Sequence, residues 1–375
     1  MSWVEVRKLT IDITTVNFER ALLDAMASDP IRKDLINWVF RTNKLGLGLT
    51  LANYAGIDNA ILKSLPDINA VAASEVAMNA IVASPAIINA LVVSSAAMPV
   101  MANSQVAVNA MVPNSTVMTA VVASKEAMDA MAASTIAMAA IIADNTARAK
   151  MVASSIAMSS VAASSIAMTA IAASSITMTA IAANSTAMTT VAANSMAIGK
   201  VANSQVAVDA VVANNSAMSI VANYSAAVSA MAVSLMAMYA IINSNAARTQ
   251  FVKSGTLQNY RNTIVATLER GVSQGKFQKF AAAMIDSEGD YAWGTGSRPN
   301  NCVAVLTHAG PYRTGESAYT SVRHLQDSSI TVFTRQGSTR LEPVDNYICI
   351  GGLIHNESGD SYIQVNAYAT LPEED

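Results

Sequence analysis

The chain has 375 residues, enough for two or three domains, and 52% of them are hydrophobic while only 13% are charged. This charged share is about half that of an ordinary soluble protein, and the formal net charge is −3. A weakly acidic chain with no arginine-rich, aromatic-bearing face is not expected to bind nucleic acid or an anionic membrane.

Residues 1–60 are predicted to be helical. The segments "VNFERALLDAMASD" and "DPIRKDLINWVFRTN" have the spacing of amphipathic helices, and no basic stretch followed by an apolar run marks a secretory signal. Trp3, Trp38 and Phe40 are concentrated here although the chain is poor in aromatic residues. We interpret the region as a cap on the first repeat and these three residues as candidates for attachment to a larger assembly. An ordinary small core explains the aromatic residues equally well.

Residues 61–250 form nineteen consecutive units of ten residues without insertion or deletion. Position one of each unit is Val, Ile, Leu or Met, and position four is Ser, Asn or Asp except at Tyr224. Position seven is mostly Ala, and position eight is mostly Met, Val or Ile. A short polar side chain before an Ala- and Met-rich run is typical of a helix N-cap, and Pro85 directly after Ser84 suits the first helical position. Each unit therefore predicts one helix of seven or eight residues.

The predicted helices end near position three of the next unit. Asparagines at this position suit a left-handed residue after the helix. The asparagines concerned are Asn103, Asn203, Asn223 and Asn243.

Stacking of these helices predicts an α-solenoid. Positions one, two, seven and eight make one apolar face per unit, and a two-turn helix is unstable unless it buries that face on its neighbours. Two alternatives are a β-solenoid and one long helix in a trimeric rod. Ala and Met disfavour strands, and four prolines disfavour a continuous helix. These prolines are Pro66, Pro85, Pro99 and Pro113.

Residues 76–124 and 151–199 contain no charged side chain and could be mistaken for membrane spans. Ser or Asn interrupts them every ten residues, and Leu and Phe, the usual residues of such spans, are nearly absent. We expect their apolar atoms to face one another inside the solenoid.

The repeat is predicted to be a spacer. It has no His, Cys or Trp and only twelve charged residues, whereas a catalytic site requires titratable groups in unusual environments. Arg148 and Arg248 occupy position eight, which should be buried. They could contact a partner subunit, or lay their stems on the apolar face with their heads in water; Arg248, in the last unit, could also belong to a cap.

The remaining chain divides into a polar, mostly helical connector, residues 251–280, and a β-rich head, residues 281–375. Segments such as "CVAVLTH", "SITVFTR" and "SYIQVNAYA" alternate with period two between Gly, Asp, Asn and Ser clusters. The head is therefore predicted to be an all-β sandwich or jelly-roll-like domain.

The head offers little for catalysis. Its only histidines are His308, His324 and His355, and no hydrolase, zinc-protease or paired-acid motif is present. Cys302 and Cys349 are too few for a disulfide framework and badly spaced for zinc. We expect them to be small buried residues of a protein made in a reducing cytoplasm. We predict no catalytic, cofactor-binding or metal-binding residue and no enzymatic activity.

Loops of the head carry the candidate recognition residues. "DYAWGTGSRPNN" and "GPYRTGESAY" contain aromatic and arginine side chains that suit recognition of sugar or protein on a rigid scaffold. The candidates are Trp293, Arg298, Tyr312 and Arg313.

The lines "VAASSIAMTAIAASSITMTA" and "DNTARAKMVASSIAMSS" resemble the Ala/Ser/Met-rich decapeptide arrays of tail-fibre and related virion proteins of tailed bacteriophages. The resemblance covers residues 61–250. It implies attachment to tail or baseplate proteins through the N-terminal region, a repetitive shaft, and a β-rich tip that contacts the host. It also implies a homotrimer and a location in the virion after assembly in the host cytoplasm.

Three functions are therefore considered. The leading prediction is a tail-fibre or receptor-binding virion protein whose head binds a bacterial surface glycan or protein. The alternative is a structural baseplate or capsid-decoration component whose β domain binds another viral subunit. The third, less favoured, is a tip that cleaves surface polysaccharide.

Overall fold

The structure is a computed structural model that describes residues 65–371, except residues 74, 288–289, 294–300, 312–318, 325, 328, 337–341 and 359. The predicted N-terminal helices and the candidate attachment residues Trp3, Trp38 and Phe40 lie outside the described residues. The chain divides into two compact units, residues 1–171 and 172–375, each of which is considered by itself. The predicted order, a solenoid of short helices followed by a β domain, is confirmed.

One helix of six to nine residues stands in each ten-residue unit of the described repeat. The helices are α1 (Leu65–Ala72), α2 (Glu75–Val82), α3 (Pro85–Val92), α4 (Ala97–Ala102), α5 (Gln105–Met111), α6 (Ser115–Ala123), α7 (Lys125–Ala132), α8 (Thr135–Ala143), α9 (Asn145–Ala153), α10 (Ser155–Ala163), α11 (Ser165–Ala172), α12 (Ser175–Ala183), α13 (Ser185–Ala193), α14 (Ser195–Ala202), α15 (Gln205–Val212), α16 (Asn215–Asn223), α17 (Ser225–Val233), α18 (Leu235–Asn243) and α19 (Asn245–Phe251).

Position four is the N-cap of most helices, as predicted; α4 instead has Ala96 at its N-cap, and Ser84 before α3 makes no side-chain cap bond. The Ser134 hydroxyl accepts the N–H of Ala137 at 3.2 Å, and the Asp144 carboxylate accepts that of Ala147 at 2.8 Å. Tyr224, which replaces the usual Ser, Asn or Asp at this position, also makes no side-chain cap bond. Each such cap satisfies one of the backbone donors that the first helical turn leaves unpaired.

The predicted left-handed residues after the helices are wrong. Asn103 and Asn203 have φ values of −98° and −102°, and Asn223 and Asn243 are still helical. Among the described non-glycine residues only Asn346, in the β domain, has a positive φ. The side-chain amides of Asn103 and Asn203 instead donate to carbonyls of their own helices, Pro99 O and Gly199 O, both at 2.8 Å. The helices can therefore end without a left-handed residue.

Within each compact unit, a helix packs on the third helix after it. Hydroxyls at position four connect the layers: Ser134 Oγ donates to Ala102 O and Ser164 Oγ to Ala132 O, each at 2.5 Å. Ser204 Oγ makes the same bond to Ala172 O in the second compact unit. Each bond spans 32 residues, so three consecutive helices complete one turn of a superhelix.

Positions one, two, seven and eight point inward, as the apolar pattern predicts. Ala157, Met158, Val161 and Ala162 of α10 are at most 1% exposed. Repeated burial of such small and flexible side chains provides the solenoid core. Both alternatives, a β-solenoid and one continuous helix, are thereby excluded.

No described helix is by itself long and apolar enough to cross a bilayer. Four pairs of consecutive helices reach that length and composition when added together, but each pair is bent by 100° to 105° at its junction. Their apolar residues contribute to the solenoid core.

After α19 come a 3-10 helix (Leu257–Tyr260), α20 (Arg261–Ser273) and eight strands. The strands are β1 (Phe277–Ser287), β2 (Asp290–Trp293), β3 (Cys302–Pro311), β4 (Tyr319–His324), β5 (Thr331–Gln336), β6 (Glu342–Ile350), β7 (Leu353–Ser358) and β8 (Asp360–Thr370). Because β1 begins at Phe277, the β domain starts inside the predicted connector.

The strands form two four-stranded antiparallel sheets, ordered β1-β8-β3-β6 and β2-β7-β4-β5. β1 pairs with β8, β2 with β7, β3 with β6 and β4 with β5, as if one long hairpin had been rolled across two sheets. This is the jelly-roll arrangement. Leu306 and Val365 of the first sheet share a buried core with Val322 and Leu353 of the second.

Candidate functional surfaces

The β domain has two ends that differ in their surroundings. At the end of β8, Thr370 Oγ1 donates to Asn243 Oδ1 of α18 at 2.6 Å, and Leu371 O accepts from the Tyr239 hydroxyl at 2.7 Å. Asn301, just before β3, also donates to Asn243, at 3.2 Å. We call this the solenoid end, and the opposite end the distal end.

Strand direction shows at which of these ends each described strand finishes. β8 runs towards the solenoid end, and each odd-numbered strand is antiparallel to an even-numbered neighbour. The odd-numbered strands therefore finish at the distal end and the even-numbered strands at the solenoid end. The segments that follow the odd-numbered strands are 288–289, 312–318, 337–341 and 359.

The four candidate recognition residues belong to, or follow in sequence, two strands that finish at opposite ends. Trp293 is the last residue of β2, where it pairs with Leu353, and its side chain is outside the described residues. Arg298 lies in segment 294–300 after β2, also outside them. Tyr312 and Arg313, likewise outside, follow β3, which finishes at the distal end. The strand order therefore separates the predicted set into two pairs.

Arg248 joins the last repeat to the β domain. Its guanidinium donates to Ile242 O and, through Nη2, to Asn245 Oδ1 at 3.2 Å, while its Nε donates to Gln326 Oε1 at 3.1 Å. The side chain is 5% exposed, and this burial lowers its pKa. Gln326 also donates to Thr249 Oγ1 at 2.7 Å. Of the alternatives considered for Arg248, the structure supports the cap.

Arg148 repeats the first two of these bonds one hundred residues earlier. Its Nη1 donates to Ile142 O at 2.7 Å and its Nη2 to Asn145 Oδ1 at 2.6 Å. The guanidinium thus bonds to its own chain while the residue stays half-buried. The alternative in which the arginine head lies in water is therefore wrong for Arg248. The head of Arg148 also bonds to the protein, although its residue is only half-buried.

The 3-10 helix and α20 hold the edge of β6. The side-chain amide of Gln258 donates to Ile348 O at 2.9 Å and accepts from Ile348 N at 3.1 Å, as a neighbouring strand would. Arg261 forms an ion pair with Asp345 and lies 5.8 Å from the centre of the Tyr347 ring. An amide that mimics a strand satisfies edge groups that would otherwise be available for pairing.

A polar cluster on α20 holds the β1–β8 side of the same sheet. Glu269 accepts from Lys279 Nζ at 2.6 Å and from the Tyr368 hydroxyl at 2.5 Å. The Lys279 bond, followed by the Tyr368 bond, lowers the pKa of the Glu269 carboxyl, whereas burial raises that of the Tyr368 hydroxyl. The residues predicted to be a connector therefore form a bracket between the last helices and the β domain.

The histidines of the head do not form a described catalytic group. His308 lies on β3 of the first sheet, where its Nδ1 is 3.3 Å from Thr307 Oγ1. His324 lies on β4 of the second sheet at 1% exposure, and burial lowers its pKa to about 4 although Asp327 partly opposes this. The side chain of His355 is outside the described residues. Within the described part, no group of His, Cys, Asp and Glu is arranged to hold a metal ion.

The two cysteines are buried and unlinked, as expected. Burial raises the pKa of the Cys349 thiol. Such a thiol has little thiolate character and behaves as a small apolar residue.

Sequence reasoning missed the residues of the joint between helices and head. Gln258 and Gln326 are single polar residues without a motif, and Asn243 was predicted only as a left-handed residue at a helix end. Tyr239 carried a usable signal, because it places an aromatic ring at position nine, where the repeat otherwise has smaller residues. Its ring stands edge-on to Phe277 of β1, with centroids 5.9 Å apart. Departures from the repeat therefore indicated the joint.

No protein-family model matches the chain, and no curated protein matches it.

Proposed function

We propose that the protein is a tail-fibre or receptor-binding virion protein that presents the distal end of its jelly roll to a bacterial surface glycan or protein. In this proposal the N-terminal region attaches to tail or baseplate proteins, and the solenoid acts as a spacer.

The observation that carries the proposal is the attachment of the jelly roll by one end. Tyr239, Asn243, Arg248 and α20 hold the solenoid end and one sheet of the domain through direct hydrogen bonds. The odd-numbered strands finish at the end of the domain opposite this attachment, and the four segments follow them in sequence. Loops on a rigid scaffold are the usual location of recognition residues.

The composition of these segments supports recognition at the distal end. Segment 312–318 reads "YRTGESA" and segment 337–341 reads "GSTRL". They combine Tyr312 with Arg313 and Arg340, and Tyr and Arg are among the residue types most enriched at the energetic centres of interfaces. We therefore rank Tyr312 and Arg313 above Trp293 and Arg298 as recognition residues.

The test compares binding of full-length variants to a panel of bacterial cells and isolated envelope fractions. Tyr312→Ala combined with Arg313→Ala alters the segment after β3, and Arg298→Ala is the control after β2. We expect the double variant to bind at least about tenfold more weakly, a loss of about 1.4 kcal/mol or more, and the control to bind like the wild type.

Other outcomes would redirect the assignment. Equal loss in both variants, or in neither, would contradict recognition at the distal end. Capture by another virion protein without binding to any envelope fraction would favour the structural component. Release of reducing ends from envelope polysaccharide would favour the cleaving tip.

A further inference from the structure

A buried histidine stands directly before the turn that holds the last repeat. His324 is the final residue of β4 and is 1% exposed. Its Nδ1 is buried and has no hydrogen-bond partner among the described residues. On β7 it lies opposite Leu353, which is fully buried. The imidazole is therefore enclosed in the jelly-roll core at the solenoid end.

The turn after His324 connects the β domain to α19. Gln326 accepts from Arg248 Nε at 3.1 Å, and it donates to Asn245 Oδ1 at 2.9 Å and to Thr249 Oγ1 at 2.7 Å. We call these three bonds the Gln326 latch. Because a single residue separates Gln326 from His324, a movement of the imidazole is transmitted directly to the latch.

Hydrogen bonds fix the shape of this turn. His324 N donates to Ile330 O at 3.2 Å, and Ile330 N donates to Asp327 O at 3.1 Å. The Asp327 carboxylate accepts from the N–H and the hydroxyl of Ser329, at 3.1 Å and 2.6 Å. These bonds hold the turn in the arrangement that forms the latch, as long as His324 keeps its place at the end of β4.

Protonation of His324 makes this arrangement unfavourable. An imidazolium ion donates from both ring nitrogens, whereas Nδ1 of His324 meets no acceptor among the described residues. Burial of an ionised group without a partner is costly, and burial accordingly lowers the pKa of His324 to about 4. A protonated ring is therefore expected to leave its enclosed position.

The charged groups around the turn do not offset this cost. Asp327 raises the pKa of His324, but burial has the larger effect. Two cations, Lys253 and Arg248, also reach the turn, the first through its interaction with Asp327 and the second through the latch. The side chain of His355, on the neighbouring strand β7, lies outside the described residues.

We propose that the Gln326 latch is an acid-sensitive contact that opens when His324 is protonated. The bonds of Tyr239, Asn243 and α20 to the β domain do not involve this turn, so the domain stays attached while the latch is open.

The sign of the pH dependence follows from proton binding. In the open form the ring is in water and has its ordinary pKa of 6.5. Between pH 6.5 and about 4 the open form binds more protons than the closed form, so the opening equilibrium rises as the pH falls. From about pH 7.5 to about pH 5 the increase is about thirtyfold.

Cys302 is a native probe of the opening. It is fully buried, and Arg248 lies close enough to interact with it electrostatically. Gly351 N donates to Cys302 O at 2.7 Å, and a methyl group at Gly351 would lie 2.8 Å from Gln326 Oε1. The latch and Cys302 therefore meet at Gly351, and an open latch should uncover the thiol.

The test measures the reaction of Cys302 with 4,4′-dithiodipyridine in the full chain, with Cys349→Ala as the background so that one thiol remains. The rate at each pH is divided by that of glutathione. We expect the corrected rate to rise about thirtyfold from about pH 7.5 to about pH 5. His324→Gln should abolish the rise, and His324→Leu is a second variant in case the first does not fold. His308→Gln, on the other sheet, is the matched control and should keep the rise.

Two further measurements separate the latch from unfolding of the whole head. Gln326→Ala breaks the latch directly and should react faster than the background at neutral pH. Low urea concentrations should change the rate little, because a local opening exposes little surface. A rate that does not depend on pH, the same rise in the folded His324 variants, an unchanged rate in Gln326→Ala, or a steep dependence on urea would each overturn the proposal.

Discussion

The hydroxyl at position four makes two hydrogen bonds, one within its own helix and one to a helix of the preceding layer. Ser134 accepts the N–H of Ala137 as an N-cap and donates its own proton to Ala102 O in the layer before. Asp can accept but cannot donate, and Asn has both functions on a longer side chain. At Asn114 the amide reaches Val82 O at 3.4 Å, compared with 2.5 Å for the Ser134 bond. This double role explains why Ser is the commonest residue at the position.

Substitution at Ser134 separates the two roles. Ser134→Ala loses both bonds and leaves Ala102 O unpaired in a buried site, so we expect a loss of about 1–2 kcal/mol in the free energy of unfolding. Ser134→Asp keeps the cap but cannot donate to Ala102 O, and should remain less stable than the wild type. Urea unfolding followed by helix circular dichroism measures both. Ser165→Ala, at an exposed position five, serves as control, and an equal loss there would contradict the two-bond account.

His324 should make the stability of the head depend on pH. Burial lowers its pKa to about 4 from the ordinary 6.5. Between these values the unfolded chain binds more protons than the folded chain, so stability falls as pH falls from 6.5 to about 4. The full shift corresponds to about 3 kcal/mol in the free energy of unfolding.

The measurement is urea unfolding at several pH values, followed by the fluorescence of Trp293, the only tryptophan of the head. His324→Gln should remove this part of the pH dependence, while acidic groups account for the rest. His308→Gln, at a half-exposed site on the other sheet, is the control and should behave like the wild type. Parallel pH profiles for the wild type and His324→Gln would refute the assignment.

At the scale of elements, α20 is not a flexible linker, because it bonds to both the last helices and the β domain. Thr267 donates to Ala232 O at the end of α17, and Arg270 donates to Val233 O at 2.6 Å. The same helix reaches the β domain through Glu269 and Tyr368. Because α20 bonds to both the last helices and the sheet, the β domain and the end of the solenoid are expected to unfold together.

Glycine substitutions test this close packing. A methyl group at Gly271 would lie 2.7 Å from Leu235 Cδ1 and overlap the Phe277 ring, whereas nothing lies within 4 Å of one at Gly199. Alanine is the better helix residue by about 1 kcal/mol. Gly199→Ala should therefore raise the free energy of unfolding by up to about 1 kcal/mol, and Gly271→Ala should lower it by about 1–3 kcal/mol. Thermal unfolding of both variants measures the difference, and a stabilised Gly271→Ala would show that the joint is loosely packed.

At the scale of the whole molecule, each helix of the solenoid is stabilised by its neighbours in the adjacent layers. Removal of residues 105–134 deletes three whole repeat units and joins Ser104 to Thr135, so the N-cap and the layer contacts are preserved. Removal of residues 105–114 deletes one repeat unit and joins Ser104 to Ser115. The N-cap and the layer contacts are again preserved, but every later helix then lies on the next of the three sides of the superhelix. Stability in such arrays is a sum of unit and neighbour contributions.

We therefore expect both deletions to fold and to melt within about 5 °C of the wild type. Removal of residues 105–109 alone shifts the inward positions by half a repeat unit and should lower the melting temperature of the solenoid sharply. Circular dichroism melts of the three proteins provide the comparison. A whole-unit deletion that melted like the half-unit deletion would contradict equivalent layers.

Several features of this protein can be predicted from the sequence alone because they depend on bonds within about four residues. The N-caps, the helix length of each repeat unit, the four inward positions and the alternation of the β strands belong to this class. Ser134 predicts its own cap because the acceptor and the donor are three residues apart. The burial of the cysteines and the poverty of the repeat in titratable groups can be predicted equally from residue type.

Only the tertiary structure decided the features that join distant residues. Three helices per turn depends on hydroxyl bonds that span 32 residues. The role of Arg248 depends on Gln326, 78 residues away. The separation of Trp293 from the strand that precedes Tyr312 depends on the strand order of the jelly roll. Local hydrogen bonds determine whether a segment forms a helix or a strand. The free energy that packs these elements together comes from burial and from bonds between residues that become neighbours only after folding.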